Sequence, residues 1–218
     1  MRLFVAAYPP RQVCAHLGET VDALAIGRAA AAGINARLAG RENWHVTLAF
    51  LGDVPDERQA DVSLALDRAV SGWRAGRADG LPRLWLGGGG RFGRGRFTVL
   101  WVGLRGEVAE LAALGKAIRR DLKRARLPFD PKPFRPHLTL ARPGDRVDVA
   151  GDVTALRTYE GPEWTLDEVR LMRSYPGPKP RYDRLATWRL DVAERASAEP
   201  RAGAQPQDGA EPRAGAER

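Results

Sequence analysis

The amino-acid sequence predicts a mixed α+β fold, and three observations support this prediction. Apolar residues alternate with polar ones in several short segments, as in strands, and recur at helical spacing in longer ones. Some strand-like segments follow one another directly, so the chain lacks the steady strand–helix alternation of a doubly wound sheet. Its 218 residues are 44% hydrophobic and 28% charged, a balance that allows one sizeable core in a globular protein.

The first part of the chain predicts two strands and two helices in alternation. Residues 2–8 (RLFVAAY) form an apolar strand that two prolines end, and residues 11–28 carry apolar residues near helical spacing. Residues 43–51 (NWHVTLAFL) have the pattern of a strand. Residues 54–70 follow as a helix, with Pro55 near its first turn, where proline is favoured.

The later part predicts five strands and one helix. Residues 81–86 and 97–104 (FTVLWVGL) are consecutive strands, and residues 106–126 form a Leu/Ala-rich helix with basic residues near its C-terminus. Prolines lead into a strand over residues 135–142. A segment rich in proline and glycine then joins the last two strands, which we place at residues 165–173 and 183–191.

Residues 88–93 (GGGRFG) match the glycine pattern of dinucleotide-binding loops. The pattern needs a helix after the loop, because the helix N-terminus holds the pyrophosphate, whereas a strand follows here. We therefore predict a flexible loop, with Arg91, Arg94 and Arg96 available to an RNA backbone. We assign four tryptophans to the core: Trp73, Trp85, Trp101 and Trp164.

The composition changes near Glu194, after which alanine, proline, glutamate, arginine and glycine predominate and AEPRAGA occurs twice. Such a composition has too few apolar residues to form a core. We therefore predict one folded domain over residues 1–193 and a disordered tail over residues 194–218.

A formal net charge of +8 favours an anionic partner, and RNA or nucleotides fit best. Only four of the 35 basic residues are lysines, so an arginine-rich coding bias is an alternative explanation. The single cysteine excludes an internal disulfide, and the apolar N-terminal run is too short for a signal peptide. No apolar stretch approaches the length of a membrane span. We expect a cytoplasmic monomer.

A tetrapeptide occurs twice, as His-Val-Thr-Leu at residues 45–48 and as His-Leu-Thr-Leu at residues 137–140, although the chain has only three histidines. Side chains alternate across a strand, so His45 and Thr47 share one face, as do His137 and Thr139. The residues expected to face the core from the first strand are Trp44, Val46, Leu48 and Phe50.

Two imidazoles and two hydroxyls along one groove suit the chemistry of a phosphodiester. One imidazole can remove a proton from the attacking oxygen while the other protonates the leaving oxygen. Hydroxyl groups can donate hydrogen bonds to the non-bridging oxygens, where negative charge accumulates. A histidine pKa near 6.5 makes both protonation states accessible near neutral pH.

The two histidines have two other interpretations, as packing residues and as zinc ligands. A lone HxT is usually a packing feature of an amphipathic strand, but two copies in separate strands favour function. A zinc site would use His45, His137 and perhaps His16, yet the sequence offers neither a third ligand at a recognisable spacing nor a cysteine pair. We expect neither a metal nor another cofactor.

The segments NWHVTLAFLG (43–52) and RPHLTLAR (135–142) resemble the paired signatures of the two-histidine phosphoesterases. Their flanking residues most resemble the bacterial and archaeal RNA 2′,3′-cyclic phosphodiesterase family, also called 2′-5′ RNA ligase. RLFVAAYPP, FTVLWVGL and YDRLATWRL fit the same family in order and spacing. The resemblance covers roughly residues 1–192.

The resemblance implies a two-lobed α+β fold with pseudo-twofold symmetry, antiparallel-rich sheets around a central cleft and helices outside. It implies metal-independent hydrolysis of RNA 2′,3′-cyclic phosphate ends to 2′-phosphates, with a weak reverse ligation. His137 would then act as base and His45 as acid. Thr47 and Thr139 would bind the phosphate, together with Arg142.

Strict alternation places Arg142 on the face opposite His137, so its role requires the strand to bend or end there. Arg135 has the better position by alternation but a weaker basis in the family. Two alternative functions stay open. One is a phosphodiesterase for another small cyclic phosphate, such as ADP-ribose 1″,2″-cyclic phosphate. The other is a non-catalytic module that binds RNA or nucleotides.

Overall fold

The structure is a computed structural model that describes residues 1–77, 80–177 and 180–191. The predicted tail, residues 194–218, lies outside the described residues. The strands are β1 (Arg2–Ala7), β2 (Val46–Asp53), β3 (Arg83–Phe92), β4 (Val99–Gly106), β5 (His137–Ala141), β6 (Trp164–Thr165), β7 (Glu168–Tyr175) and β8 (Arg181–Arg189). The α-helices are α1 (Arg11–Ala23), α2 (Ala25–Ala31), α3 (Gln59–Ala75), α4 (Val108–Arg124) and α5 (Ala150–Arg157).

The described strands form one antiparallel sheet in the order β6-β3-β4-β5-β2-β1-β7-β8. Its halves, β6-β3-β4-β5 and β2-β1-β7-β8, each present a motif strand at their inner edge. The halves join through a single residue pair between β2 and β5, Val46 with Leu138. The predicted α+β fold with antiparallel strands in two halves is confirmed. No helix in the described ranges is long and apolar enough to cross a membrane.

One continuous core covers both halves of the sheet and includes residues from all five helices. Val46 and Leu138, the pair that joins the halves, are both buried in it. A second, smaller cluster of Phe4, Ala6 and Met172 is separate from this core and packs against Tyr8 and Phe50. The sheet is therefore apolar on both sides near β1.

Two helical features differ from the sequence prediction. The helix predicted over residues 11–28 is broken at Leu24, which is extended (φ −73°, ψ 162°). The short helix α5 was not predicted. Its buried Asp152 accepts hydrogen bonds from the backbone N–H groups of Ala25 (2.7 Å) and Ile26 (3.0 Å) at the start of α2. This contact joins segments 126 to 127 residues apart, so local sequence patterns do not contain it.

The prediction of a flexible loop over residues 88–93 is wrong, because β3 continues through Phe92. These glycines make room for neighbouring side chains. A Cβ added at Gly90 would lie 2.5 Å from the indole ring of Trp101, and one at Gly89 would lie 2.4 Å from Leu156 of α5. Glycine in a strand commonly marks such close approach.

The tryptophan assignments are partly right. Trp73 and Trp164 are buried in the core, and half-buried Trp85 packs against it. The assignment of Trp101 to the core is wrong, because this side chain is half-buried outside the core and lies over Gly90. Only the absence of a side chain at Gly90 lets the indole ring occupy this place.

Candidate active site

The two motif histidines occupy matching places in the sheet. His45 lies directly before β2, and His137 is the first residue of β5. The pair Val46–Leu138 that joins the sheet halves follows each histidine by one residue. The structure therefore brings the two predicted motifs together at the centre of the sheet.

The register around this pair arranges the four motif side chains. On the β2 side the pair is flanked by His45 and Thr47, and on the β5 side it is flanked by His137 and Thr139. All four side chains are half-buried rather than packed in the core. Each motif strand thus presents one imidazole and one hydroxyl next to the point where the sheet halves join, and the charge of His137 lowers the pKa of His45.

Both imidazoles are oriented by the same backbone contact. His45 Nδ1 lies 2.6 Å from the Asn43 carbonyl oxygen, and His137 Nδ1 lies 2.6 Å from the Arg135 carbonyl oxygen. A carbonyl oxygen only accepts hydrogen bonds, so Nδ1 carries the proton in each ring. Nε2 is left as the atom that can gain or lose a proton in both motifs.

Three aromatic rings surround His45. The centroid distances from its imidazole are 4.8 Å to Phe4, 5.4 Å to Tyr182 and 5.5 Å to Tyr8. Phe4 is 1% exposed, so the ring beneath His45 is closed to water. An imidazolium in such surroundings loses hydration that the rings do not replace with hydrogen bonds.

This burial lowers the pKa of His45 to about 4. The hydrogen bond to the Asn43 carbonyl opposes the shift, because it stabilises the protonated ring, whereas the charges of His137 and Arg142 add to it. Without a bound anion, His45 is therefore neutral at neutral pH.

His137 has a similar but more open environment. Phe92 meets its ring edge-on at a centroid distance of 4.9 Å, and Trp101 lies 6.3 Å away. Burial lowers the pKa of His137, the Arg135 carbonyl opposes that shift, and the charge of Arg142 lowers the pKa further. Both histidines thus have lowered pKa values, and Arg142 contributes to both.

Each motif strand contains a β-bulge directly after the threonine. The extra residue is Leu48 in β2, which has no partner in β1, and Leu140 in β5, which has no partner in β4. A bulge shifts the alternation by one residue, so Arg142 returns to the face that carries His137. The structure therefore meets the condition that strict alternation had placed on Arg142.

The same shift corrects one assignment in β2. Trp44, Val46 and Leu48 are buried in the core as expected, but the prediction that Phe50 faces the core is wrong. Phe50 is half-buried and stacks on Phe4 at a centroid distance of 6.2 Å, on the face of His45. Phe50 and Arg142 occupy equivalent positions in the two motif copies.

A cavity of about 700 Å³ adjoins the motif strands. Of the predicted site residues it contacts Thr47, Arg135 and His137, whereas His45, Thr139 and Arg142 do not line it. Its remaining lining residues are Leu48, Ala49, Phe50, Arg91, Phe92, Gly93, Arg119, Asp130, Lys132 and Pro133. Arg135 is exposed, and its carbonyl oxygen is the atom that contacts His137 Nδ1.

Sequence reasoning missed the aromatic residues around the histidines. Phe4 and Tyr8 are four residues apart in an extended segment, so alternation alone could have placed them on one face. Tyr182 and Phe92 carry no such signal, because only strand pairing brings them near. Burial raises the pKa of Tyr8 to about 12, so its hydroxyl stays protonated, and the Arg170 guanidinium lies 4.8 Å from its ring centroid.

Within the described ranges, no group of three histidine, cysteine, aspartate or glutamate side chains could hold a metal ion. His16, the third histidine, is in α1, and its Nδ1 lies 3.0 Å from the hydroxyl of Tyr159. The side chains of the two motifs and Arg142 have the chemistry for proton transfer and anion binding.

These features define an α+β protein in which two HxT strands meet at the centre of one antiparallel sheet. The sequence model of the 2′-5′ RNA ligase superfamily matches residues 9–178, and the chain belongs to this superfamily.

The relatives and a solved structure agree with this membership. A Thermus thermophilus protein is 32% identical over 192 residues, covering 82% of this chain and 84% of its own length. A Geobacillus stearothermophilus protein is 34% identical over 157 residues, or 68% of this chain and 46% of its own length, so the match spans about half of that relative. Both are named RNA 2′,3′-cyclic phosphodiesterase.

Among solved structures, Escherichia coli LigT complexed with 3′-AMP is similar to this chain with a TM-score of 0.61. The sequences are 26% identical, and the match covers 87% of this chain and 97% of LigT. The fold thus agrees over nearly the whole of the solved relative.

Proposed function

We propose that this protein hydrolyses RNA 2′,3′-cyclic phosphate ends to 2′-phosphates, with His45 and His137 as the acid–base pair and without a metal. The observation that carries the proposal is the arrangement of two HxT strands around the pair Val46–Leu138. Each of these strands contributes one imidazole oriented through Nδ1 and one threonine hydroxyl. The names of the Thermus and Geobacillus relatives and the 3′-AMP bound to LigT support the choice of substrate.

The reaction needs two proton transfers. A neutral imidazole Nε2 removes a proton from water as the water oxygen bonds to phosphorus. The bond between phosphorus and O3′ breaks, and the protonated Nε2 of the other histidine gives its proton to O3′. Thr47, Thr139 and Arg142 would stabilise the charge on the non-bridging oxygens. If a 5′-hydroxyl replaces water as the attacking group, the same steps form a 2′-5′ linkage and release O3′, so a weak 2′-5′ ligation belongs to the same proposal.

The roles of the two histidines rest on different arguments. Resemblance assigns His137 as base and His45 as acid, whereas the lower pKa of His45, about 4, favours His45 as base. A p-nitrophenyl phosphodiester separates them, because its leaving group needs no proton. The variant lacking the acid recovers much of its lost rate on this substrate, and the variant lacking the base does not. If His137→Ala recovers its rate, His137 is the acid and His45 is the base. If His45→Ala recovers its rate, His45 is the acid and His137 is the base.

A panel of cyclic phosphates tests the proposed function. The purified protein is assayed with and without EDTA on nucleoside 2′,3′-cyclic phosphates, RNA bearing that end and ADP-ribose 1″,2″-cyclic phosphate. We expect chelator-resistant conversion of the 2′,3′-cyclic ends to 2′-phosphates. Exclusive turnover of the ADP-ribose compound would identify a different phosphodiesterase. Tight binding without turnover would identify a binding module, and loss of activity in EDTA would contradict the metal-free mechanism.

A further inference from the structure

We propose that the cavity beside His137 binds the internucleotide phosphate that precedes the reacting cyclic phosphate. The preferred substrate is then the 3′ end of an oligoribonucleotide rather than a single nucleotide. This inference rests on the proposed function, because it extends the same site by one nucleotide. Thr47 and His137 are among the residues that line the cavity. Its volume of about 700 Å³ is within the usual range for a ligand site.

The cavity is strongly cationic. Arg91, Arg119, Lys132 and Arg135 line it, and Asp130 is its one acidic lining residue. Asp130 is already paired with Lys132, whose Nζ lies 3.2 Å from its carboxylate. Among the described residues, Arg91 and Arg135 form no ion pair. An anion entering the cavity therefore meets an excess of positive charge, which is what a phosphodiester linkage requires.

The wall that carries part of this charge is held in place. Residues 127–136 (LPFDPKPFRP) contain four prolines, each of which fixes its own φ angle. The Asp130 N–H donates to the Phe50 carbonyl at 2.7 Å, which ties the segment to β2. Arg119 of α4 donates to the Lys132 carbonyl at 3.4 Å. A segment ordered before binding loses little conformational entropy when the ligand arrives.

Charge distinguishes this cavity from a second one nearby. The second cavity, of about 500 Å³, is lined largely by glycines of β3 and β4, and Arg105 is the one charged residue in its lining. Trp101 lines the second cavity and stacks on Phe92 of the first, with ring centroids 5.1 Å apart. The first cavity is therefore much better suited to a second phosphate.

A comparison of kcat/KM for three substrates measures the effect of the charge on the internucleotide phosphate. The first is adenosine 2′,3′-cyclic phosphate, which lacks an internucleotide linkage. The second is a diadenosine dinucleotide ending in the same cyclic phosphate. The third is that dinucleotide with a methylphosphonate linkage, which has the same bases and length but no linkage charge. We expect the natural dinucleotide to have the highest kcat/KM of the three, mainly through KM.

The variants Arg91→Gln and Arg119→Gln test the cavity, with Arg68→Gln as matched control. Arg68 is an exposed arginine of α3 that does not line the cavity. We expect each cavity variant to lower kcat/KM on the natural dinucleotide by about fivefold, as for one solvent-exposed ion pair. The mononucleotide and the methylphosphonate dinucleotide should be unaffected, and the control variant should behave as the unmodified protein on all three.

Equal effects of the cavity variants on all three substrates would overturn the inference, since the arginines would then act on the reacting phosphate or on folding. No effect on any of them would also overturn it. A higher kcat/KM for ADP-ribose 1″,2″-cyclic phosphate than for the dinucleotide would assign the cavity to a pyrophosphate instead. Inactivity toward every 2′,3′-cyclic substrate would contradict the proposed function itself, and the inference with it.

Discussion

At the scale of single residues, the two histidines differ from free imidazoles because each combines a fixed Nδ1 contact with an apolar surrounding. The carbonyls of Asn43 and Arg135 fix which ring nitrogen is free to gain or lose a proton. Phe4, with its neighbouring rings, keeps water from one side of His45. The resting site therefore holds both rings neutral, and a bound phosphodiester, being negative, would raise both pKa values.

The lowered pKa values predict the pH dependence of the free enzyme. The proposed mechanism needs one histidine neutral and the other protonated, and the pKa of each lies below 6.5. As pH rises above 6.5, the fraction of protein molecules in which the acid histidine is protonated falls. We therefore expect kcat/KM to decrease from pH 6.5 to pH 8. A profile of kcat/KM against pH measures this. A rise over that interval would show that the histidines are not the titrating pair.

Arg142 should affect the position of the alkaline limb in this profile of kcat/KM against pH. Its charge lowers the pKa of both His45 and His137, so Arg142→Gln removes that effect and should raise both pKa values. The alkaline limb of kcat/KM should then move to higher pH, and KM should increase if Arg142 also binds phosphate. Arg146→Gln, at a nearby exposed arginine, is the control. An unchanged limb in Arg142→Gln would place this arginine outside the site.

At the scale of secondary-structure elements, the motif strands are positioned by contacts that the sequence does not show. The duplicated HxTL predicted which residues share a face, because alternation is local. The bulges at Leu48 and Leu140 were not predictable, since they arise from pairing with β1 and β4. They decide the position of Phe50, which was misplaced, and of Arg142, which alternation alone had placed on the wrong face.

Helix α5 should stabilise the fold mainly through Asp152. Asp152→Ala would leave the backbone N–H groups of Ala25 and Ile26 buried without their acceptor. We expect the free energy of unfolding to fall by about 1–3 kcal/mol, the usual cost of an unsatisfied buried donor. Urea unfolding measures this, with Asp145→Ala, an exposed residue in the turn before α5, as control. Equal stability of the two variants would contradict the role of Asp152.

At the scale of the whole molecule, the sheet is two four-stranded halves joined at one residue pair, Val46–Leu138. The order of most elements and the fold class could be predicted, because hydrophobic periodicity reports them directly. The cationic cavity could not be predicted, because its lining combines Arg119 with residues from three separate segments, 47–50, 91–93 and 130–137. The glycines of β3 were misassigned since their partner, Trp101, is on the next strand.

Residues 194–218 should contribute little to the folded domain, since their composition has almost no core-forming residues. A protein ending at residue 193 should keep its melting temperature and its turnover of a cyclic phosphate. Calorimetry and the same assay on both lengths test this. A large fall in melting temperature after truncation would show that the segment packs on the domain.

The central claim is that His45 and His137 act as one acid–base pair, and single-turnover rates on an RNA 2′,3′-cyclic phosphate test it most directly. His45→Ala and His137→Ala should each lower the rate by about 10²–10⁴-fold, the range for one positioned proton donor or acceptor. Thermal unfolding curves verify that both variants are folded. A folded variant of either histidine that keeps nearly the full rate would contradict the pair.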